Sequence, residues 1–554
     1  NKEHGKNQSH VNLSTCDIGS FRVPYWEEML PNDDINFELS DYFRASPMAG
    51  AVFGNYRVCT QSFFVPSRLL WTKFQDFITG GSTGTSQYAP PVATVRNFYE
   101  TVKDIYPPSL PISSAAKAGL RDLFNLYIDM GLPLQNNLPN ISDDDILSYP
   151  AIDADLAESK VSLLPFRAVS KVWFDWFRDS NLISDDVESS YTITDGTTGS
   201  TSASSAFGEL GKRAHGLTHV AVPWEKDYFT TAFTDPQRGS KSLVSVDIAD
   251  PSVNPALSKP STVQPLQLTG SRTVKTGNYS GSDATGIIGS FDILAFRAAS
   301  ALQKFLERSN IGGATKLTQL LAHWGVAPSP SVMQMSEYLG RNEYSLNIDE
   351  VVSTADTSSV NSTNLGDVTT KMNGSGTYSV NYHAKEHGFF ICVQFIRPER
   401  VYLPGCDRRL FNRNFKEDYF NPEFEHISYQ PIMSCELNPI VNSNLVFGYA
   451  PRYAEYKFAQ SRYSGQYATP LYATVRPSQY NGVLNQTTAF TMIGTDAISM
   501  MDSVFAISDP SLDHFVVRWT INCGMKRPMS PYGQSTISDI TGRDITIPYG
   551  GVRL

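Results

Sequence analysis

Apolar and polar positions alternate toward both ends of the chain and follow a helical period in between. From His514 to Ile521, Phe515, Val517, Trp519 and Ile521 point one way, while His514, Val516, Arg518 and Thr520 point the other. That period of two predicts a strand with one buried face. Residues 377–382 alternate in the same way, and 389–396 (FFICVQFI) form a continuous apolar strand. The first 70 residues read as mostly extended, with Cys59 to Val65 rich in aromatic and β-branched side chains and stopped by Pro66.

Four helices are predicted in the middle. Ser114 can cap the first, whose face is Leu120, Leu123, Phe124, Tyr127 and Ile128, with Gly131 and Pro133 as its stop. The second starts at Pro165 and carries Phe166, Val169, Trp173, Trp176 and Phe177, a stripe expected to pack in the core. Ser290 can cap a third, carrying Ile293, Leu294, Leu302, Phe305 and Leu306 and ending near Gly312-Gly313. The fourth runs from Thr315 through Leu317, Leu320, Leu321 and Trp324 to Gly325.

Loops separate these elements. Residues 80–91 are a Gly/Ser/Pro loop, and 184–206 are a polar tract expected on the surface. Residues 239–289 are rich in Ser, Thr, Pro and Gly without helical period, with short β pieces expected near Leu243–Ile248 and Val263–Leu268. Strands and helices do not alternate regularly, which argues against a doubly wound sheet or a TIM barrel. The fold expected is mainly β: an eight-stranded jelly-roll β-sandwich with large loop insertions that carry several helices. No repeat of 20–50 residues appears.

Length alone would suggest three or four domains for 554 residues, but a β-rich domain with insertions can absorb them as one. Lys and Arg total 45 against 55 Asp and Glu, a net charge of −10 that excludes a generally basic nucleic-acid binder. Charged residues are 18% and aromatics 12%, a balance suited to a protein that hides much surface in its core or against partners. The cysteines, at 16, 59, 392, 406, 435 and 523, share no spacing pattern and read as buried free thiols. No signal peptide is expected from Asn1 to His10, and no apolar run approaches a membrane span, so no membrane insertion is expected. The sequons at Asn140 and Asn361 matter only in a secreted eukaryotic chain.

Catalytic patterns were weighed against ordinary structure. Gly80 to Gly84 matches GxSxG, but Tyr88-Ala89-Pro90-Pro91 cannot begin the helix that a nucleophile elbow requires. His383-Ala384-Lys385-Glu386-His387 matches HxxEH, a metalloprotease pattern. Both flanks read as strand, where residues four apart lie roughly 13 Å from each other and cannot share a zinc ion. His215 and His219 have the same spacing in a loop-like segment. Acidic pairs such as Asp33-Asp34 and Asp143-Asp144-Asp145 carry no mark of acid–base work. No catalytic residue, metal ligand or cofactor is assigned.

Two groups are candidates for binding. Arg400, Arg408, Arg409 and Arg413, with Arg397 and interleaved aromatics, could face DNA, or could pair with Glu399, Asp407 and Glu417. Lys2 and Lys6 could form a weakly basic N-terminal arm over residues 1–15. Tyr449, Tyr453, Tyr456, Tyr463 and Tyr467 are expected on exposed loops as contacts between subunits.

Several ordered segments carry a resemblance. Phe21 to Leu30 precedes Phe63-Phe64-Val65-Pro66-Ser67-Arg68-Leu69-Leu70-Trp71; Leu164-Pro165-Phe166-Arg167-Ala168 and Trp176 to Leu182 follow. Then come Asp227-Tyr228-Phe229-Thr230, Pro236-Gln237-Arg238-Gly239, Leu302 to Arg308, Glu337-Tyr338-Leu339-Gly340, Glu386-His387-Gly388 and Asp418 to Phe424. In number and order these resemble the major capsid protein of microviruses, small icosahedral single-stranded DNA phages, and most the gokushovirus branch. Asn421, where a Trp is common, and His426-Ile427-Ser428 depart from the family pattern.

The resemblance implies a viral jelly roll assembled in sixty copies as a T=1 shell around circular single-stranded DNA. It implies a virion protein assembled in the bacterial host cytoplasm, partnered by a small basic DNA-packaging protein and a host-surface receptor. It places residues 240–289 as a protrusion at the three-fold axes, and it makes 1–554 one jelly-roll domain with insertions. A carbohydrate-binding or carbohydrate-cleaving β-sandwich is the alternative that exposed aromatics and carboxylates leave open.

Overall fold

The computed structural model describes residues 4–48, 52–82, 84, 88–95, 114–132, 159–182, 222–239, 247–248, 267–269, 273–275, 289–290, 293–352, 368–402, 405–411, 413–425, 429–437, 445–468, 491–493, 504–507 and 512–529. The polar tract 184–206, Asp143–Asp145, His215, His219, Lys2 and both sequons lie outside the described residues, as does most of 240–289. Within that last stretch the strands Asp247–Ile248, Gln267–Thr269 and Thr273–Lys275 are described.

Strands open the chain: β1 (His4–Asn7), β2 (His10–Cys16), β3 (Arg22–Met29), β4 (Asp34–Ala45) and β5 (Tyr56–Pro66). An insertion then carries α1 (Ser114–Asp129), α2 (Leu164–Val172), α3 (Ile293–Gly312) and α4 (Lys316–Trp324). Strands resume with β6 (Glu337–Ser345), β7 (Asn347–Val352), β8 (Val368–His383) and β9 (Gly388–Pro398). A second insertion holds β10 (Tyr429–Met433) and β11 (Val446–Pro451), and β12 (Phe515–Arg527) closes the sandwich.

One sheet has the order β1/β2–β12–β4–β8–β7 and the other β6–β5–β9–β3, all antiparallel. The chain crosses between sheets at β2 to β3, β3 to β4, β4 to β5, β6 to β7, β8 to β9 and again before β12. With β1 and β2 counted as one interrupted strand and β7 as an added hairpin edge, this is the eight-stranded jelly-roll order. Residues 4–16, expected as an arm, are instead strand paired along β12, because their alternating side chains complete that sheet.

The two sheets bury one core. Phe37 of β4 stacks on Tyr25 of β3 at 5.1 Å and meets Phe390 of β9 at 5.2 Å. Trp519 Nε1 donates across the sandwich to Gln394 Oε1 at 2.6 Å, and Gln394 Nε2 donates to Thr60 Oγ1 at 2.8 Å and to Asp41. Phe515, Val517, Trp519 and Ile521 are buried as the alternation predicts. His514 is the exception: it is buried just ahead of the strand instead of facing outward.

The helices behave as their patterns require, with two differences. The Phe166–Phe177 stripe enters the core, but Trp173–Phe177 widens into a π turn that lets Phe177 meet both Phe21 at 5.1 Å and Phe395 at 5.6 Å. Ser290 pairs with Asp247 in a two-residue strand, and α3 starts only at Ile293. Thr315 caps α4 by accepting the Thr318 N–H, and Gly325 closes it in the left-handed region.

Where α1 meets β2, β3 and the start of β12, a charged network is sealed from water. Arg22 makes a two-pronged pair with Asp129, at 2.7 and 2.8 Å. Arg121 pairs with Asp17, Asp122 and Asp513. His514 Nδ1 lies 3.0 Å from Asp17 and its Nε2 lies 2.9 Å from the Ile507 carbonyl. Both partners are hydrogen-bond acceptors, so each ring nitrogen faces an oxygen. Burial pushes the Asp122 carboxyl up to about 6. Burial also opposes the Asp17 charge, but His514 and Arg121 hold that carboxyl below its ordinary value.

Candidate assembly and nucleic-acid interface

The predicted arginines and tyrosines come together in the insertion after β9. There residues 402–454 fold onto the 228–233 segment around a second small core that includes Tyr228, Phe229, Tyr402, Ile432 and Phe447. β10 and β11 pair antiparallel, and Phe233 and Tyr449 exchange backbone hydrogen bonds at 2.8 Å. Glu436 is buried beneath them. It accepts from Arg408 at 3.1 Å, from the Tyr228 hydroxyl at 3.1 Å and from the Met433 N–H at 3.0 Å. Burial raises its carboxyl above the ordinary value despite those donors.

This setting uses up most of the arginine cluster. Arg400 is buried with its guanidinium 4.9 Å from the Trp224 ring and 5.3 Å from Tyr402. Arg408 is held by Glu436 and the Pro431 carbonyl. Arg413 stacks on Tyr419 and Tyr456 at 5.0 and 5.3 Å and lies 3.8 Å from Glu455. Arg409 alone of the four is exposed, and Asp407 pairs with it at 2.9 Å. The Arg409 hydrogen bond holds the Asp407 carboxyl down to about 2. The pairing expected for Asp407 is therefore found, while Arg400, Arg408 and Arg413 point into the chain instead of toward DNA. Lys6 sits half-buried on β1 opposite Met525, not on a free arm.

The tyrosines divide the same way. Tyr456 is exposed, and Tyr449 and Tyr467 are half-buried. Tyr453 and Tyr463 are buried within the chain, contrary to the exposure expected of them. Tyr453 takes a left-handed backbone (φ 62°) that aims its hydroxyl at the carbonyls of Glu417 and Tyr419, both at 3.0 Å. Loop composition signals exposure, but a loop folded on its own small core buries its aromatics like any other chain.

The HxxEH and GxSxG patterns have structural uses. His383 ends β8 and sits 2.7 Å from Asp34, Glu386 accepts from Arg68 at 2.8 Å, and the His387 ring meets Phe74 at 5.8 Å. The HxxEH residues thus turn a hairpin, each with its own partner. A Cβ on Gly388 would come within 2.4 Å of Phe64 and 2.6 Å of the Val65 carbonyl, so only glycine lets β9 start there. At the GxSxG pattern, Gly80 ends a short helix, Phe74–Thr79, in the left-handed region, the reverse of a nucleophile elbow.

A basic surface that no run of arginines in the sequence marks lies on the sandwich itself. On the face of β4, β8 and β12 turned away from the core, Arg44 and Arg518 are exposed beside Tyr42, Lys371 lies farther along β8, and Lys526 is exposed opposite Asp34 near the far end of β12. Tyr42 stands opposite Arg518 on one side and Ser375 on the other. Glu38 and Asp34 are the carboxylates on the same face of these three strands. The signal was present in the alternation, which already puts Arg518 on the side opposite Trp519.

Comparison with known proteins agrees with this architecture. The profile of the family described as capsid protein (F protein) matches residues 2–104 and 136–537. Capsid protein VP1 of Spiroplasma virus 4 is 25% identical over 495 residues, covering 82% of this chain and 80% of the relative. Capsid protein VP1 of Bdellovibrio phage phiMH2K is 23% identical over 524 residues, covering 85% and 86%. That of Chlamydia phage 1 is 22% identical over 539 residues, covering 83% of each. A sandwich whose insertions are pinned by buried ion pairs is what a shell subunit requires; the chain belongs to the phage capsid protein (F protein) family, a structural protein of the virion that assembles with copies of itself.

Proposed function

We propose that sixty copies of this chain close a T=1 icosahedral shell around a circular single-stranded DNA genome. The observation that carries the reading is the jelly-roll order of the two sheets, with no strand among the described residues laid over the face of β4, β8 and β12 that carries Arg44 and Arg518. Arg44 and Arg518 beside Tyr42 can meet phosphates while the ring stacks a base, without reading sequence. The chain as a whole carries −10, so the shell cannot neutralise a genome by itself. A small basic packaging protein, or polyamines, would supply the balance. Residues 240–289 form the outward protrusion in this reading and contribute to attachment at a host-surface receptor.

The test is purification of assembled material. Particles of icosahedral outline holding nuclease-protected single-stranded DNA and a basic component are expected. A monomer with glycan affinity, or one with stoichiometric zinc, overturns the reading. Deleting 245–285 is expected to leave particles that assemble but attach poorly to host cells; loss of all particles would make the stretch structural instead.

A further inference from the structure

Surface helices normally turn apolar side chains inward and polar ones to water. The α3–α4 hairpin does the reverse. Polar groups hold α3 to the body: Gln303 donates to Gln237 at 2.5 Å, Asn310 to the Asp235 carbonyl at 2.8 Å, and the Tyr429 hydroxyl to the Glu307 carbonyl at 3.4 Å. The two helices are tied to each other by Gln319, which donates to the Ser309 carbonyl at 2.8 Å, and by Phe305 stacked on His323 at 4.6 Å. The large apolar side chains face away. Trp324 is 77% exposed, Val332 72% and Ile311 63%, and Leu302, Phe305 and Leu321 each keep about half of their surface in water.

Charge is missing from the chain after the first residue of α4, while α3 itself carries exposed Arg297, Lys304 and Arg308. Residues 317–336 contain no Asp, Glu, Lys or Arg. Depletion of charge around aromatic and aliphatic anchors marks the centre of a protein–protein interface. The six side chains leave on the order of 600–800 Å² of apolar surface, beyond the few hundred Å² of an ordinary monomer patch and close to the roughly 800 Å² each partner gives to a standard interface.

We infer that the α3–α4 hairpin is a subunit contact whose outward apolar face docks on a second copy of this chain. The occupant follows from the area, the uncharged stretch 317–336 and the self-assembly of the family. The inference rests on the shell reading and names one surface that makes the shell.

The test is a double variant, Leu321→Asp with Trp324→Asp, expressed beside the wild-type chain and followed by gradient sedimentation. The expected result is at least a tenfold loss of particles, with the unassembled variant keeping the wild-type melting temperature. Wild-type particle yield from the variant overturns the inference while leaving the shell reading intact. Absence of particles from the wild-type chain defeats the shell reading itself. Oxidative footprinting of the wild type covers the case of a variant that fails to fold. Labelling of Trp324 and Val332 is expected to fall several-fold on going from unassembled chain to particle. Equal labelling in the two states, including protection already complete in the unassembled chain, overturns the inference.

Discussion

Two tryptophans show how differently this chain treats its apolar side chains. Trp519, in the middle of β12, is 1% exposed, packed between two sheets and hydrogen-bonded to Gln394. Trp324, at the end of α4, projects into water within an uncharged stretch of chain. The sandwich satisfies its apolar groups and its polar network within one chain. The hairpin is held by polar contacts and leaves its apolar face for another molecule. A shell subunit needs both: a block that folds before assembly, and surfaces whose burial waits for a neighbour.

Substitutions should separate these regions, and the largest effect on the isolated chain belongs to the sandwich. Arg22→Met leaves the Asp129 carboxylate buried without its two-pronged partner and should cost about 3–5 kcal/mol in urea unfolding of unassembled chain. Trp519→Ala should cost about as much, through the cavity and the orphaned Gln394. A loss below about 1 kcal/mol in both would mean that the sandwich is not the stable block described.

Arg408→Ala tests the second core. Removing it strips Glu436 of its cation, at a cost of about 2–4 kcal/mol. Hydrogen exchange should quicken in β10 and β11 while β12 stays protected. Equal quickening in both would show that the two cores unfold as one unit.

The third effect depends on pH. Burial raises the Asp122 carboxyl from its unfolded value to about 6, so the folded chain binds this proton more tightly than the unfolded one. Its contribution therefore grows as pH falls through 6 and is complete near 4, by about 2–3 kcal/mol. Asp17 acts in the opposite sense, and its contribution is lost only below the ordinary carboxylate range. Asp122→Asn should flatten the rise in melting temperature between pH 6 and pH 4. An unchanged profile would place that titration elsewhere.

The smallest effect on the isolated chain is expected at the hairpin. Trp324→Ala should change unassembled stability by no more than about 0.5 kcal/mol, because little is packed against it. A loss of several kcal/mol would show that the hairpin is packed within its own chain, like the sandwich.

Much of this architecture was legible in the sequence. The period of two in β8 and β12 and the continuous apolar run of β9 located core strands, and Thr315 and Gly325 bounded α4 through capping chemistry that depends on neighbouring residues alone. The order of the family motifs named the fold and the function class. The basic face around Tyr42 was legible in part, since alternation had already turned Arg518 outward.

What the sequence could not decide were the partners of charged and aromatic side chains. Arg22 meets Asp129 from 107 positions away, and Tyr228 meets Glu436 from 208. An arginine cluster looks the same in sequence whether it faces phosphate or is consumed by Glu436, Glu455 and aromatic rings. Tyr453 and Tyr463 sit in loop-like sequence yet are buried, Tyr453 against Phe420 and the carbonyls of Glu417 and Tyr419, the last two 36 and 34 positions away. The stripes of α2 and α3 are alike in pattern, but one is inserted in the sandwich and the other turned to solvent. Periodicity depends on side chains a few residues apart and so is written locally; the direction in which a face points depends on what the rest of the chain brings against it, and tertiary structure alone settles that.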